Sequence, residues 1–233
     1  MSVRAVIFDK DGTLIDFNET WGRAAYHVFS DLSEGDEARF DALVSVARYD
    51  PVTRCFAPES NVFTDATSVY GPSWAKAARA EEGPAFNAHI DVLFQRHSIA
   101  YVTPFADTVA TLTAFAAAGI TMGCVTNDAE ACAREQLGSV GMTSHFVEII
   151  GYDSGYGRKP EPGQILAFAE KTGLRPEEMA FVGDSTHDLH AARAAGCMAI
   201  GVTTGAQDAA VLGPHADHVM SRLGELTALL LEI

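Results

Sequence analysis

The segment FDKDGTLID, residues 8–16, sets two carboxylates two positions apart directly after the apolar run VRAVIF at 3–8. On an extended backbone, side chains two apart point the same way, so Asp9 and Asp11 are expected to share one site. Two carboxylates facing one ligand repel each other unless a cation, a shared proton or solvent intervenes, and a bound metal ion supplies the first of these. Gly12 permits a tight turn that swings backbone N–H groups toward an anion, and Thr13 is suited to cap the next element. Taken alone, the pair also fits an ordinary strand-end turn, where Asp and Gly are common.

Three later segments carry further polar groups next to apolar runs. ITMGCVTND runs into Thr126 and Asn127, GRKPEP holds Lys159, and FVGDSTHD holds Asp184 and Asp188. Singly, these read as a helix cap, a solvated loop cation and a helix-start charge pair. Together with Asp9 and Asp11 they stand at the carboxyl ends of candidate parallel strands, where open α/β sheets bind ligands.

The elements that must position them emerge from periodicity. Apolar, β-branched runs at 3–8, 120–125, 147–150, 179–182 and 198–202 suit strands covered on both faces. Helical patterns open at Asp107, Ala129, Pro162 and His187, each closing on a glycine, the usual residue past a helix C-terminus. Regular alternation of strand and helix predicts an α/β fold with a parallel, doubly wound sheet.

One interval breaks the alternation. Residues 19–49 and 73–98 show helical spacing, with Trp21, Ala24, Ala25, Val28 and Phe29 on one stripe and Phe86, Ile90, Leu93 and Phe94 on another. We therefore expect a catalytic core of residues 1–16 and 103–233 and an inserted helical domain at 17–102. Within the insert, residues 50–63 and the YGPS stretch at 70–73 read as loops. Trp21, Tyr70 and Trp74 suit its core, and Arg48 and Arg54 are candidates to meet a substrate carboxylate or second phosphate.

Composition narrows the function classes. The formal charge of −15 over 233 residues, with scattered Lys and Arg, repels a nucleic-acid backbone. No apolar run approaches the ~18 residues of a membrane span, and the acidic residues come too early for a signal peptide, so no membrane association and a cytoplasmic location are expected. The four cysteines lack a CxxC and read as reduced thiols; the histidines, His187 and His190 included, lack zinc spacing.

FDKDGTLID, Thr126 after its strand, Lys159 before its helix, and the pair Asp184 and Asp188 resemble, in order, the four signatures of the haloacid dehalogenase superfamily. The resemblance covers residues 1–16 and about 103–233 and implies a Rossmann-like core. The insert matches the position of the family's helical cap, which closes over the core. The chain as a whole is similar to phosphoglycolate phosphatases, although Lys10 stands where an apolar residue is often found, and Phe17-Asn18 replaces the small residue common after Asp16.

That resemblance implies a Mg²⁺-dependent phosphatase acting on a small phosphorylated metabolite, as a monomer or homodimer. Asp9 is the implied nucleophile, forming an aspartyl-phosphate, and Asp11 the general acid and base. Mg²⁺ is held by Asp9, the Asp11 backbone carbonyl and Asp184, with Asp188 as a direct or indirect ligand. Thr126, Lys159, the backbone near Gly12 and the Asn127 amide bind phosphoryl oxygens. A phosphomutase of the same superfamily and a non-catalytic phosphate-binding protein are the competing readings; Asp11 disfavours a dehalogenase, and the insert disfavours a receiver domain.

Overall fold

The computed structural model describes residues 3–57, 59–63, 67–205 and 207–231. They fall into two compact units, one reaching Asp16 and resuming at Pro104, the other spanning Phe17–Thr103.

In the first unit six strands form one sheet: β1 (Ala5–Phe8), β2 (Thr121–Val125), β3 (Glu148–Ile150), β4 (Met179–Gly183), β5 (Met198–Val202) and β6 (His218–Met220). Their order is β3-β2-β1-β4-β5-β6, and every neighbouring pair is parallel. All residues of β1 and β4 are buried, as continuous apolar runs require. Alternate side chains serve opposite faces. Ala5 and Ile7 join a cluster with Phe168 and Leu189, whereas the Phe8 ring lies 6.3 Å from that of Phe115. Helices Thr108–Ala117, Glu130–Ser139, Gly163–Thr172 and Thr186–Ala195 thus cover a doubly wound sheet.

This order reverses direction beside β1: the chain steps to β2 on one side and later to β4 on the other. A crevice opens at such a switch point, outside the carboxyl ends of the strands. Asp9 follows β1 and Asp184 follows β4, so both carboxylates fall there.

Strand β6 has no counterpart in the sequence expectations. It is three residues long, pairs on one side only, and its first residue is exposed, so it lacks the apolar run that marks a covered strand.

The second unit contains helices Arg23–Ser33, Glu37–Ala47, Thr67–Ala78 and Pro84–Ser98. Ala24, Ala25, Val28 and Phe29 pack with Ile90, Leu93 and Phe94 around the fully buried Trp74, with Trp21 and Phe86 at the margin. Two loop expectations differ from the structure. Tyr49–Asp50 and Cys55–Phe56 pair as a short antiparallel ladder that begins one residue before the 50–63 stretch. The 70–73 stretch is helical, with Pro72 inside Thr67–Ala78. Burial of Tyr70 and Trp74, whose rings lie 4.8 Å apart, outweighs the backbone bond lost at Pro72, and the Ser73 hydroxyl donates to the Tyr70 carbonyl at 2.7 Å. No helix among the described residues is long and apolar enough to cross a membrane.

Candidate active site

The turn after β1 is closed by its own backbone. Gly12, at φ +78°, donates its N–H to the Ile15 carbonyl at 2.8 Å, and Leu14 N–H donates to the Lys10 carbonyl at 2.8 Å. The N–H of Gly12 itself is spent within the turn, whose remaining backbone N–H groups are the ones expected to face an anion. The glycine has a different use: a Cβ there would lie 2.5 Å from Asp184 Oδ2. Gly205, beyond β5, approaches from another direction, and a Cβ on it would lie 1.7 Å from the same oxygen. The Thr204 hydroxyl donates to the Gly12 carbonyl at 2.7 Å, tying the two glycine turns around Asp184.

Asp188 sits in the first turn of Thr186–Ala195 and is buried. Its Oδ2 accepts from the Ser185 N–H at 3.0 Å and the Ser185 hydroxyl at 2.6 Å, a capping box that orients the carboxylate. Its Oδ1 then pairs with Lys159 Nζ at 2.7 Å, and the same ammonium lies 2.6 Å from Asp9 Oδ1. Lys159 is held from behind. Its N–H donates to Asn127 Oδ1 at 2.9 Å, and Asn127 Nδ2 donates to its carbonyl at 3.1 Å. Asn127, expected to offer its amide to phosphate, gives its oxygen and one of its two amide hydrogens to the Lys159 backbone.

Thr126 follows β2 and is buried; its hydroxyl oxygen accepts from Asp128 N–H at 3.0 Å, which does not consume its own proton. The buried Gln164 donates to the Thr126 carbonyl at 2.9 Å. The Asp11 carboxylate pairs with Lys10, Nζ to Oδ2 2.9 Å.

Asp9, Asp184 and Asp188 offer oxygens within 4.8 Å of one another, the one such cluster among the described residues. Burial, the largest influence, pushes the Asp9 carboxyl from 3.8 up to about 7; Lys159 opposes this, while Asp188 and Asp11 add to it. Burial also works against the charge of Lys159, but Asp188 and Asp9 outweigh it, and its pKa rises. Once Asp9 is ionised, three carboxylates against one ammonium carry an excess of negative charge in a buried place. An all-oxygen donor set with that excess fits a hard divalent cation.

The structure thus brings Asp9, Lys159, Asp184 and Asp188 into direct or near contact, keeps Thr126 just past the neighbouring strand, and bonds Gly12 to Ile15 and Asn127 to the Lys159 backbone. Thr204, Gly205, Gln164 and two partners of Lys10, Asp128 and Gln136, were not singled out from the sequence. The one local signal was GVTTG, a glycine just past a strand end. In the other unit, Arg48 lines a depression of about 420 Å³, and the Arg54 guanidinium lies 4.7 Å over the Tyr26 ring.

Comparison with known proteins agrees with this geometry. The family described as haloacid dehalogenase-like hydrolase matches residues 6–202. The chain is 31% identical over 226 residues to the phosphoglycolate phosphatase of Chromobacterium violaceum, covering 96% of this chain and 95% of that one. It is 31% identical over 230 residues to that of Yersinia pestis, covering 97% and 92%. Among solved structures, a HAD family hydrolase from Deinococcus radiodurans, with bound phosphate and sodium, is similar in fold at TM-score 0.69 and 23% identity, covering 99% and 96%. The order and spacing of the strand-end groups, the family match and relatives over nearly the whole length agree: the chain belongs to the haloacid dehalogenase-like hydrolases, as a phosphoric monoester hydrolase.

Proposed function

We propose that the chain is a Mg²⁺-dependent phosphatase that hydrolyses a small phosphorylated metabolite of the 2-phosphoglycolate type through an aspartyl-phosphate on Asp9. The observation that carries this reading is the position of Lys159 Nζ, 2.6 Å from Asp9 Oδ1 and 2.7 Å from Asp188 Oδ1, at the β1/β4 switch point. A buried carboxylate with an ammonium against one oxygen is oriented as a nucleophile, and the ammonium is ready to meet the phosphoryl oxygens that arrive there.

In the first step an Asp9 oxygen forms the bond to phosphorus as the bond to the ester oxygen breaks, and Asp11 gives the departing alkoxide its proton. In the second, water attacks phosphorus, Asp11 takes the water proton, and the Asp9 carboxylate leaves as inorganic phosphate forms. Thr126 donates its hydroxyl proton, and Lys159 its ammonium, to the equatorial oxygens. Asp9, Asp184 and Asp188, with the Asp11 carbonyl, would hold Mg²⁺, which neutralises charge between nucleophile and phosphate when bound. The helical unit inserted between Asp16 and Pro104 is assigned the family's cap role, selecting the leaving group, with Arg48 and Arg54 as its cationic candidates.

The test is phosphate release from a panel of small esters, with Mg²⁺ and with chelator, for wild type and Asp9→Asn. Mg²⁺-dependent release that Asp9→Asn lacks supports the reading. Wild type no faster than Asp9→Asn on every ester overturns it, and isomerised sugar phosphate without phosphate release transfers the assignment to a mutase.

A further inference from the structure

Lys10 is fully buried, directly between the two aspartates of the first signature, and the proposed chemistry gives it no task. Its ammonium donates to Gln136 Oε1 and forms ion pairs with Asp11 Oδ2 at 2.9 Å and Asp128 Oδ2 at 3.1 Å. An apolar side chain would fill the same space without the several kcal/mol that stripping water from a lysine costs, roughly and per ion. What the lysine adds is location, because two of its anchors are rigid. Gln136 stands on helix Glu130–Ser139 and is buried. Asp128 is fixed by accepting from Ala129 N–H at 2.7 Å and by donating its own N–H to the Thr126 hydroxyl at 3.0 Å. Asp11 itself sits beside the Gly12 turn at the edge of this buried group, and its side chain keeps 19% exposure.

We propose that Lys10 is a positioning residue that pins one oxygen of Asp11, and so sets where the other meets the ester oxygen, against the loop carrying Thr126. This rests on Asp11 acting as the general acid and base. Proton transfer needs heavy atoms about 2.6–3.2 Å apart, and an error of ~1 Å in such a group costs on the order of 10²-fold. The ion pair gives Asp11 a fixed reference on the same loop that orients the phosphoryl group.

The experiment uses full-length protein with Mg²⁺ and follows single-turnover release of two leaving groups. An alkoxide from an alkyl phosphate needs a proton as it departs, whereas nitrophenolate from 4-nitrophenyl phosphate does not. Lys10→Met is expected to slow alkyl release by about tenfold or more and aryl release by less than about threefold, with KM unchanged. Equal losses for both esters, or no loss, overturn the proposal, because a merely structural role does not distinguish leaving groups. If Lys10→Met fails to fold, Gln136→Leu decides, since it leaves both carboxylates paired with Lys10 and removes only its neutral tether. The same alkyl-selective loss at smaller size is expected there, and equal or absent losses overturn the idea. Asp11→Asn separates the two claims. A selective loss there without one in the Lys10 or Gln136 variant defeats the positioning role alone, and no selective loss there defeats the acid–base assignment and the positioning role with it.

Discussion

Asn127 grips Lys159 by the backbone: its Oδ1 accepts from the Lys159 N–H at 2.9 Å and its Nδ2 donates to the Lys159 carbonyl at 3.1 Å. The pair joins the turn after β2 to the loop before helix Gly163–Thr172, 32 residues away. Lys159 thereby enters the site with its main chain already placed, so that its ammonium spans Asp9 and Asp188.

Removing that grip should loosen the ammonium without touching the phosphate. Asn127→Ala is expected to lower kcat for phosphate release by roughly 10- to 100-fold, the range of a misplaced catalytic group. Asn127→Asp keeps the acceptor for the Lys159 N–H and should lose less. Steady-state kinetics of the two variants check the order; equal activity of Asn127→Ala and wild type would show that the loop holds Lys159 unaided.

Gly205 leaves no room for a side chain, since a Cβ would sit 1.7 Å from Asp184 Oδ2. Gly205→Ala must push Asp184 aside, at about 1–3 kcal/mol for an overpacked site, and should weaken divalent-metal binding. Thermal unfolding together with a Mg²⁺ titration of the variant reads both effects. Mg²⁺ affinity equal to wild type would remove Asp184 from the metal site.

The raised pKa of Asp9 predicts a pH dependence with a definite sign. Between 3.8 and about 7 the folded, metal-free protein holds a proton on Asp9 that the unfolded chain has lost. The contribution of this group to stability is therefore fully present below 3.8 and declines as pH rises through about 7. A divalent cation favours the ionised carboxylate and must displace that proton. The rise in Tm on adding Mg²⁺ should accordingly grow from pH 5 to pH 8. A rise independent of pH across that range would mean that Asp9 is ionised before the metal arrives.

Gln164 bears on stability rather than chemistry. Its side-chain N–H donates to the Thr126 carbonyl at 2.9 Å, and both residues are buried. Gln164→Leu leaves that carbonyl without this donor, a loss of about 1–3 kcal/mol. Urea denaturation at constant m-value measures it. An unchanged midpoint would show that another donor takes over the carbonyl.

Much of the fold was legible because its strands are short and covered on both faces, which writes them into the chain as apolar runs; β1, β2, β3, β4 and β5 all carry that mark. Strand β6 does not, since its three residues are exposed or half-buried, whereas the equally short edge strand β3 buries two of its three. The helix through Pro72 was hidden for the opposite reason. Local propensity argues for a turn at Tyr-Gly-Pro-Ser, and only the burial of Tyr70 and Trp74 overrides it.

For the site, the sequence by itself determined which groups stand at strand ends, because strand length and spacing are local properties. Asp9, Thr126 and Asp184 directly follow strands, while Lys159 precedes a helix and Asp188 lies in the first turn of one. Only the tertiary structure decided who touches whom. Lys159 meets Asp9 across 150 positions, Thr13 donates to Asp184 across 171, and Lys10 reaches Gln136 across 126. Such pairs are set by the order in which β2, β1 and β4 lie side by side, and no periodicity along the chain encodes that order. The same reason explains Gly12 and Asn127: their residue types announced a turn and an amide near the site, while their partners, Ile15 and Lys159, came from how the turn closed and which loop packed beside it.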